Sequence, residues 1–254
     1  MLNSSEEEFK RMYEAEGKLW WYRILHEKVM AEIQAKFPSN KEISILDIGC
    51  GTGGVLSFLH KNNYQNIQGI DHADVSIHFS KLRNLNVQKC SIDHIKTVLM
   101  NQKFDVIICN DVFYCLDKPQ IIKALYSIDA LLKPEGIFLS NNNAFNIFYG
   151  THDIAVGGKW RFVLKDFKEF TAHISLKIRY HSYWTLILSP LVLAIRISQQ
   201  IQLKFGLINT SKLVSDVSVP PDWLNNFFYK MVKMEEKILK KGFFGSSLFL
   251  RFEK

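Results

Sequence analysis

A chain of 254 residues, 47% apolar and 22% charged, has room for one α/β domain with an elaboration and a full core. Its formal charge of +7 sits unevenly: from Leu176 onward 12 Lys and Arg face 5 Asp and Glu, so the C-terminal third holds the whole excess. That third suits an anionic substrate, a membrane surface or simply a solvated basic face, and no internal repeat or low-complexity tract is visible.

Met1–Lys10 carries three glutamates and no apolar core, so it does not read as a signal peptide. Ser4-x-x-Glu7 and Ser5-x-x-Glu8 have capping-box spacing ahead of a helix with Phe9, Met12 and Tyr13. A second helix follows Leu19-Trp20-Trp21-Tyr22-Arg23, with Leu25, Val29 and Ile33 on one face and a stop at Pro38. Paired tryptophans are more often core than ligand site. These precede a strand whose carboxyl end can carry a ligand, so the segment can lie across that end.

Ile43–Ile48 is apolar except for Ser44 and Asp47 and ends in a glycine cluster. It predicts a buried strand, a tight turn at Gly49–Gly54, then a helix with Val55, Leu56, Phe58 and Leu59 inward. Ile67–Ile70 predicts the second strand, closed by Asp71, and Val87–Cys90 the third, followed by Ser91-Ile92-Asp93. Phe104–Asn110 predicts the fourth, and Ile137–Ser140, after Lys133-Pro134-Glu135-Gly136, the fifth. Alternating strands and helices imply a parallel sheet with right-handed crossovers. Residues 141–165 predict no clear element, and a loop of that length is usually functional or mobile. Ile174–Tyr180 alternates like a sixth strand and Ser246–Phe252 like a last one. The intervening insertion has Trp223, Phe227, Met231, Met234 and Ile238 at helical spacing. Its most apolar run, Leu186–Ile195, is short of the ~20 residues a bilayer span needs. Cys50, Cys90, Cys109 and Cys115 form no C-x-x-C pair and lie in or beside strands. That favours reduced thiols in a cytoplasmic protein over a disulfide frame or a zinc site.

Two ligand classes use a strand, glycine turn and helix. Gly49, Gly51 and Gly54 have the G-x-G-x-x-G spacing of dinucleotide sites, and Asp71 lies about 20 residues on, where a carboxylate can accept from both ribose hydroxyls. Asp47 decides between the classes. A carboxylate there would repel a pyrophosphate and suits a ligand with a cationic amino-acid end. Leu46-Asp47-Ile48-Gly49-Cys50-Gly51-Thr52-Gly53 closely resembles the first motif of class I S-adenosylmethionine-dependent methyltransferases.

The resemblance covers Ile43 to Ser140. It implies a Rossmann-like, doubly wound, mostly parallel seven-stranded sheet with the last strand antiparallel, N-terminal helices and a helical cap. The expected boundaries are 1–40 for the N-terminal segment, 41–180 for the core, 181–244 for the cap and 245–254 for the last strand. More weakly, Trp20-Trp21, Asp111-Val112-Phe113-Tyr114-Cys115, His152-Asp153 and Gly157–Phe162 resemble a bacterial subgroup of the superfamily. Cys115 and Gly158 stand where that subgroup has histidines, and Trp160 and Phe162 replace an Arg and a Tyr. The acceptor half has lost polar groups, which suits a more apolar acceptor or a protein that binds the cofactor without transferring the methyl.

Carried over residue by residue, the resemblance places Asp47, Gly49, Cys50, Gly51 and Gly53 beside the amino-acid end of S-adenosylmethionine or its product S-adenosylhomocysteine. It puts Asp71 and His72 at the ribose, Ile92 and Asp93 at the adenine, and Asn110 at the tip of the fourth strand. Trp20, Trp21, Tyr22, Tyr114, Cys115, Tyr149, Arg161, His181 and Tyr183 are expected at the acceptor. Asp111 is expected nearest to it. His152 is expected as the base, its ring held by Asp153, because its reference pKa lies near about 6.5.

The expected reaction is methyl transfer to a small-molecule or lipid-like acceptor, without a metal. A non-catalytic binder of the same cofactor and a nicotinamide-dependent oxidoreductase are the alternatives. No nucleic-acid-binding pattern is visible. Trp184, Leu186, Ile187, Leu188 and Leu191–Leu193 fit either a buried cap helix or peripheral attachment to anionic lipid.

Overall fold

A computed structural model describes residues 6–209, 213 and 215–254. The two capping boxes expected at Ser4 and Ser5 lie outside the described residues. Two helices, α1 (Glu6–Ala15) and α2 (Trp20–Lys36), precede β1 (Ile45–Ile48), which is buried along its whole length. Strand alternation sends Leu46 and Ile48 to one side of the sheet and Ile45 to the other.

The chain continues through α3 (Gly54–Lys61), β2 (Ile67–Asp71), α4 (Asp74–Leu82), β3 (Val87–Lys89), α5 (Ile95–Val98) and β4 (Phe104–Ile108). Helix α6 (Lys118–Leu131) follows, with Asp117 accepting at the third residue and the Gln120 side chain accepting from the Asp117 N–H at 3.0 Å. Strand β5 (Leu132–Asn143) is next. It starts earlier and runs later than its apolar centre predicts, because Leu132 pairs with Phe104 and Asn141–Asn143 pair with the last strand.

Residues 144–165 are not the structureless loop expected. They hold a short turn at Asn146–Phe148, helix α7 (Thr151–Ala155) and a bridge from Ala144 to Phe162, before α8 (Leu164–Phe170). Strand β6 (Lys177–Trp184) extends past the expected Tyr180. His181 to Trp184 therefore belong to the sheet, paired with Leu250 to Ser247, rather than to the cap. Helices α9 (Ser189–Lys204) and α10 (Asp222–Ile238) form the cap, and β7 (Ser247–Glu253) closes the sheet.

The sheet order is β3-β2-β1-β4-β5-β7-β6, with β7 antiparallel to both neighbours. One face packs on α5, α6 and α8 through Ile95, Leu125, Ile128 and Phe167. The other packs on α2 and α3 through Ile24, Val29, Ile33, Leu56 and Leu59. Each such fully buried side chain contributes roughly 1.5–3 kcal/mol. The order reverses between β1 and β4, so the crevice at their carboxyl ends is the expected ligand position.

Candidate functional site

The glycine turn after β1 is pinned by its own backbone. Gly49 and Cys50 both donate to the Ile70 carbonyl, at 2.8 and 3.1 Å, and Gly53 donates to the Cys50 carbonyl at 2.9 Å. Gly49 sits at φ +68°, and a Cβ there would stand 2.4 Å from Val112 Cγ2, so only glycine fits. Asp71, at the tip of β2, accepts from Gly51 N–H at 3.0 Å and from Ala73 N–H at 2.9 Å. Each of its oxygens keeps a second lone pair for a ligand hydroxyl.

The amino end of α3 would be the seat of a pyrophosphate in a dinucleotide enzyme. Here the Glu16 carboxylate fills it. Glu16 accepts from the Thr52 hydroxyl, from Gly54 N–H and from Arg83 Nη1 at 2.8 Å. Burial pushes its pKa up, and Arg83 opposes that rise. Arg83 also donates to the Tyr13 carbonyl at 2.7 Å and lies 4.4 Å from the Tyr13 ring centre. The chain's own carboxylate thus occupies the anion position, which removes the nicotinamide alternative.

Asp47 carries the opposite demand. It is 3% exposed, and no side-chain hydrogen bond or ion pair reaches it among the described residues. Burial raises its pKa well above the carboxylate range, and the negative charges of Glu16 and Asp71 raise it further. A buried carboxylate among carboxylates calls for a cation from outside the chain.

Glu16, Asp47, Gly49, Cys50, Gly51 and Asp71 open onto one cavity of about 1020 Å³. Cys90, Ser91, Ile92 and Asp93 form one wall, where Gln120 donates to Asp93 at 3.4 Å. Helix α1 supplies Phe9 and Met12 over the glycine turn. Asn110 accepts from Asn141 N–H at 2.9 Å and leaves its Nδ2 buried without a partner, a donor available to a ligand. A neutral ribose, an apolar-walled base and a cationic end fit these residues; a doubly charged pyrophosphate does not.

Beyond the tip of β4 the lining changes. Asp111 sits in the left-handed region at φ +54°, where its N–H donates to the Asn141 carbonyl at 2.8 Å. The Asn141 side chain donates to both carboxylate oxygens, at 3.2 and 3.1 Å. A non-glycine residue there costs of order 1 kcal/mol, so the surrounding bonds hold it in place. Burial lifts the Asp111 pKa to about 7, with the Asn141 hydrogen bond and Arg161 pulling the other way. Tyr22 and Tyr114 lie within reach of its charge, and burial keeps both phenols protonated well past the usual tyrosine value.

The pairing expected of His152 and Asp153 is not present. Asp153 is 1% exposed and binds Arg161 in a fork, at 2.9 and 3.1 Å, while accepting from Gly150 N–H at 2.8 Å. His152 does line the cavity, but its Nδ1 accepts from Asp216 N–H at 3.1 Å. Burial lowers its pKa and keeps the ring neutral. A neutral imidazole whose Nδ1 lone pair is engaged carries its proton on Nε2, so it offers a donor rather than a base.

The cavity gathers most of the residues the sequence pointed to. Asp47, Gly49, Cys50, Gly51, Asp71, His72, Ile92, Asp93 and Asn110 line one end. Trp20, Trp21, Tyr22, Asp111, Tyr114, Cys115, His152 and Arg161 line the other. Gly53 lies behind the turn, against Leu85 and Ser80. His181, Tyr183 and Tyr149 are not in the lining. The extension of β6 accounts for the first two: Tyr183 turns away from the cavity, its hydroxyl oxygen accepting from Leu164 N–H at 2.9 Å and its ring centre 4.6 Å from that of Phe145. Tyr149 instead accepts at its carbonyl from Gln200. Sequence reasoning missed Glu16, Asn141 and Arg196, the last of which also lines the cavity. Only the acidic character of the first helix's end and the Asn-Asn-Asn run hinted at any of them.

With this geometry in view, comparison with known proteins is direct. A family described as "Methyltransferase domain" matches residues 39–182. A malonyl-[acyl-carrier protein] O-methyltransferase of Bacillus anthracis is 34% identical over 113 residues, which cover 41% of each chain. The chain thus spans about two-fifths of that curated relative. A SAM-dependent methyltransferase from Archaeoglobus fulgidus superposes with a TM-score of 0.53 at 17% identity, over 90% of this chain and 94% of that one. An S-adenosylmethionine-dependent methyltransferase from Clostridium acetobutylicum gives 0.54 at 12% identity, over 90% and 89%. The two structures share the fold, the family match covers more than half of the sequence, and the chain belongs to the class I S-adenosylmethionine-dependent methyltransferases.

Proposed function

We propose that the chain methylates a hydroxyl or amine on a small or lipid-like apolar molecule, with Asp111 as the base. The observation that carries this reading is Asp111 itself: clamped by Asn141 in a strained turn at the tip of β4, with a carboxyl that burial pushes up to about 7. A general base works best when its pKa lies near the operating pH.

Bound S-adenosylmethionine would supply an electrophilic methyl group on a sulfonium sulfur. Asp47 would face its ammonium and Asp71 its ribose hydroxyls, with Ile92 and Asp93 at the adenine and Asn110 Nδ2 as a further donor. Asp111 would accept the proton that the acceptor loses. Tyr22 and Tyr114, held protonated, would donate hydrogen bonds to the acceptor. Val156, Val192, Ile195 and Phe228 would enclose its apolar body and keep water out. Much of the catalysis would be alignment inside this enclosure.

A second reading comes from the Bacillus relative, whose name gives a carrier-bound malonyl group as its acceptor. A carboxylate acceptor arrives ionised, needs no base and would be repelled by Asp111. The same experiment separates the two. The acceptor is found by partitioning label after incubation with methyl-labelled S-adenosylmethionine and cell extract. The pH dependence of kcat/KM is then measured for the wild type and Asp111→Asn. The proposal expects a rise through about pH 7 in the wild type, and a loss of about 10²–10⁴-fold in the variant. An unchanged or faster variant would assign an already ionised acceptor.

A further inference from the structure

Both cap helices bury polar side chains and hold large apolar ones outward, although α10 also packs Val232, Phe228 and Met231 on the core. On α9, Arg196 is buried, where it donates to Gln199 at 2.8 Å and pairs with Asp216. Leu191, Ile195, Ile201 and Phe205 occupy the opposite, exposed face at helical spacing, and Phe205 is 71% exposed. On α10, the polar residues Asn225 and Glu235 are buried. Asn225 accepts from Trp20 N–H and donates to the Lys18 carbonyl, both at 2.8 Å. Glu235 accepts from Leu186 and Ile187 N–H at 3.0 and 2.7 Å.

The outward face of α10 then reads Trp223, Phe227, Lys230, Met234 and Lys237, one every three or four residues, with Ile238 beside the last. Trp223 is 73% exposed and Ile238 71%. Lys241, also exposed, prolongs the row. Of the helix's carboxylates, Glu235 is buried and Glu236 pairs with Lys28 and Lys233, which leaves Asp222 in the first turn as the exposed one. Aromatic and aliphatic tips alternating with lysines are the pattern of a helix lying in a charged interface. Both helices also wall the cavity, through Val192 and Ile195 on α9 and Phe228 on α10. Ile195 is at once 46% exposed and part of the lining, so the apolar stripe reaches the cavity mouth.

We propose that the outer faces of α9 and α10 dock on an anionic lipid surface. The occupant follows from charge: the whole formal excess of the chain lies from Leu176 onward, and the exposed row on α10 sets three lysines among its apolar tips. No helix among the described residues is long and apolar enough to cross a membrane, so the contact is peripheral. Of the residues the bare sequence singled out, Trp184 and Leu188 are buried, while Leu191 is exposed and joins Ile195, Ile201 and Phe205 and the row from Trp223 to Lys241 in the docking face. The docking stands apart from the identity of the acceptor and is tested without turnover.

The test is co-sedimentation of the full chain with vesicles of phosphatidylcholine alone or mixed two to one with phosphatidylglycerol. Binding is expected to the mixed vesicles, to fall with added salt and to be weak on phosphatidylcholine alone. The exposed-face variant K230E/K237E/K241E should bind roughly a hundredfold more weakly, since each lysine near an anionic surface adds severalfold. W223S/F227S should also lose binding, and brominated lipid should quench fluorescence in the wild type more than in this variant. Circular dichroism matching the wild type shows that both variants are folded. A chain that stays in the supernatant with mixed vesicles at low salt overturns the proposal. So does a concentration-dependent dimer that W223S/F227S disperses, which would assign the stripe to a second copy.

Discussion

At the scale of single residues, the site separates carboxylates by what each already holds. Asp71 spends one lone pair of each oxygen on the turn, at Gly51 and Ala73, and offers the others outward. Asp71→Ala should weaken S-adenosylhomocysteine binding by at least about tenfold, since each hydrogen bond to a charged acceptor is worth about 1.5–3 kcal/mol. Calorimetry giving equal affinities would remove Asp71 from the ribose. His152→Ala makes a sharper case. Its Nδ1 is occupied by Asp216 N–H, so turnover should fall far less than the about 10²–10⁴-fold expected for a lost base, at every pH from 6 to 9. A rate that collapses in His152→Ala but survives in Asp111→Asn would exchange the two roles.

At the scale of elements, β1, the glycine turn and α3 were legible because their constraints are local. Gly49 must have positive φ, and Asp47 and Asp71 stand at fixed offsets from it. The steric half of that constraint comes from Val112, 63 residues further along in the acceptor half, and no local pattern announces it. Gly49→Ala should therefore cost stability and affinity together. Adding Val112→Ala should restore part of the loss, the part due to the 2.4 Å clash, while the strain at φ +68° remains. Urea unfolding of the two single variants and the double variant checks this; strictly additive losses would show that Val112 yields freely. Residues 144–165 were illegible for the same physical reason. Their order comes from Asp153 gripping Arg161 and from Phe162 pairing with Asn143, contacts made across turns rather than by periodicity. Strand β6 was read short because Tyr183 and Trp184 owe their place to β7 and to Asn141, which accepts from the Trp184 indole at 2.9 Å.

For the molecule as a whole, gathering carboxylates at one end of the sheet carries a cost that depends on pH. Asp111 goes from an ordinary 3.8 to about 7 on folding. A raised carboxyl pKa means that the folded state holds its proton more tightly than the unfolded chain does. Its contribution to stability is thus complete below about pH 4 and is lost as pH rises through about 7. Asp111→Asn removes this dependence. Near pH 4 the variant and the wild type should unfold at similar denaturant concentrations. By about pH 8 the variant should be the more stable, by up to about 4 kcal/mol from the size of the shift. The gain should accompany the loss of turnover, because the unpaired charge that burdens the fold is the one proposed to take the acceptor's proton. Asp47 and Glu16 shift in the same direction, so the Asp111→Asn variant should keep a residual fall in stability as pH rises. A cation placed beside Asp47 lowers that cost, and S-adenosylhomocysteine should therefore bind more tightly, and stabilise more, as pH rises. Equal stability of wild type and Asp111→Asn across pH 4–8 would mean that Asp111 is ionised throughout, and its place as the base would go with it.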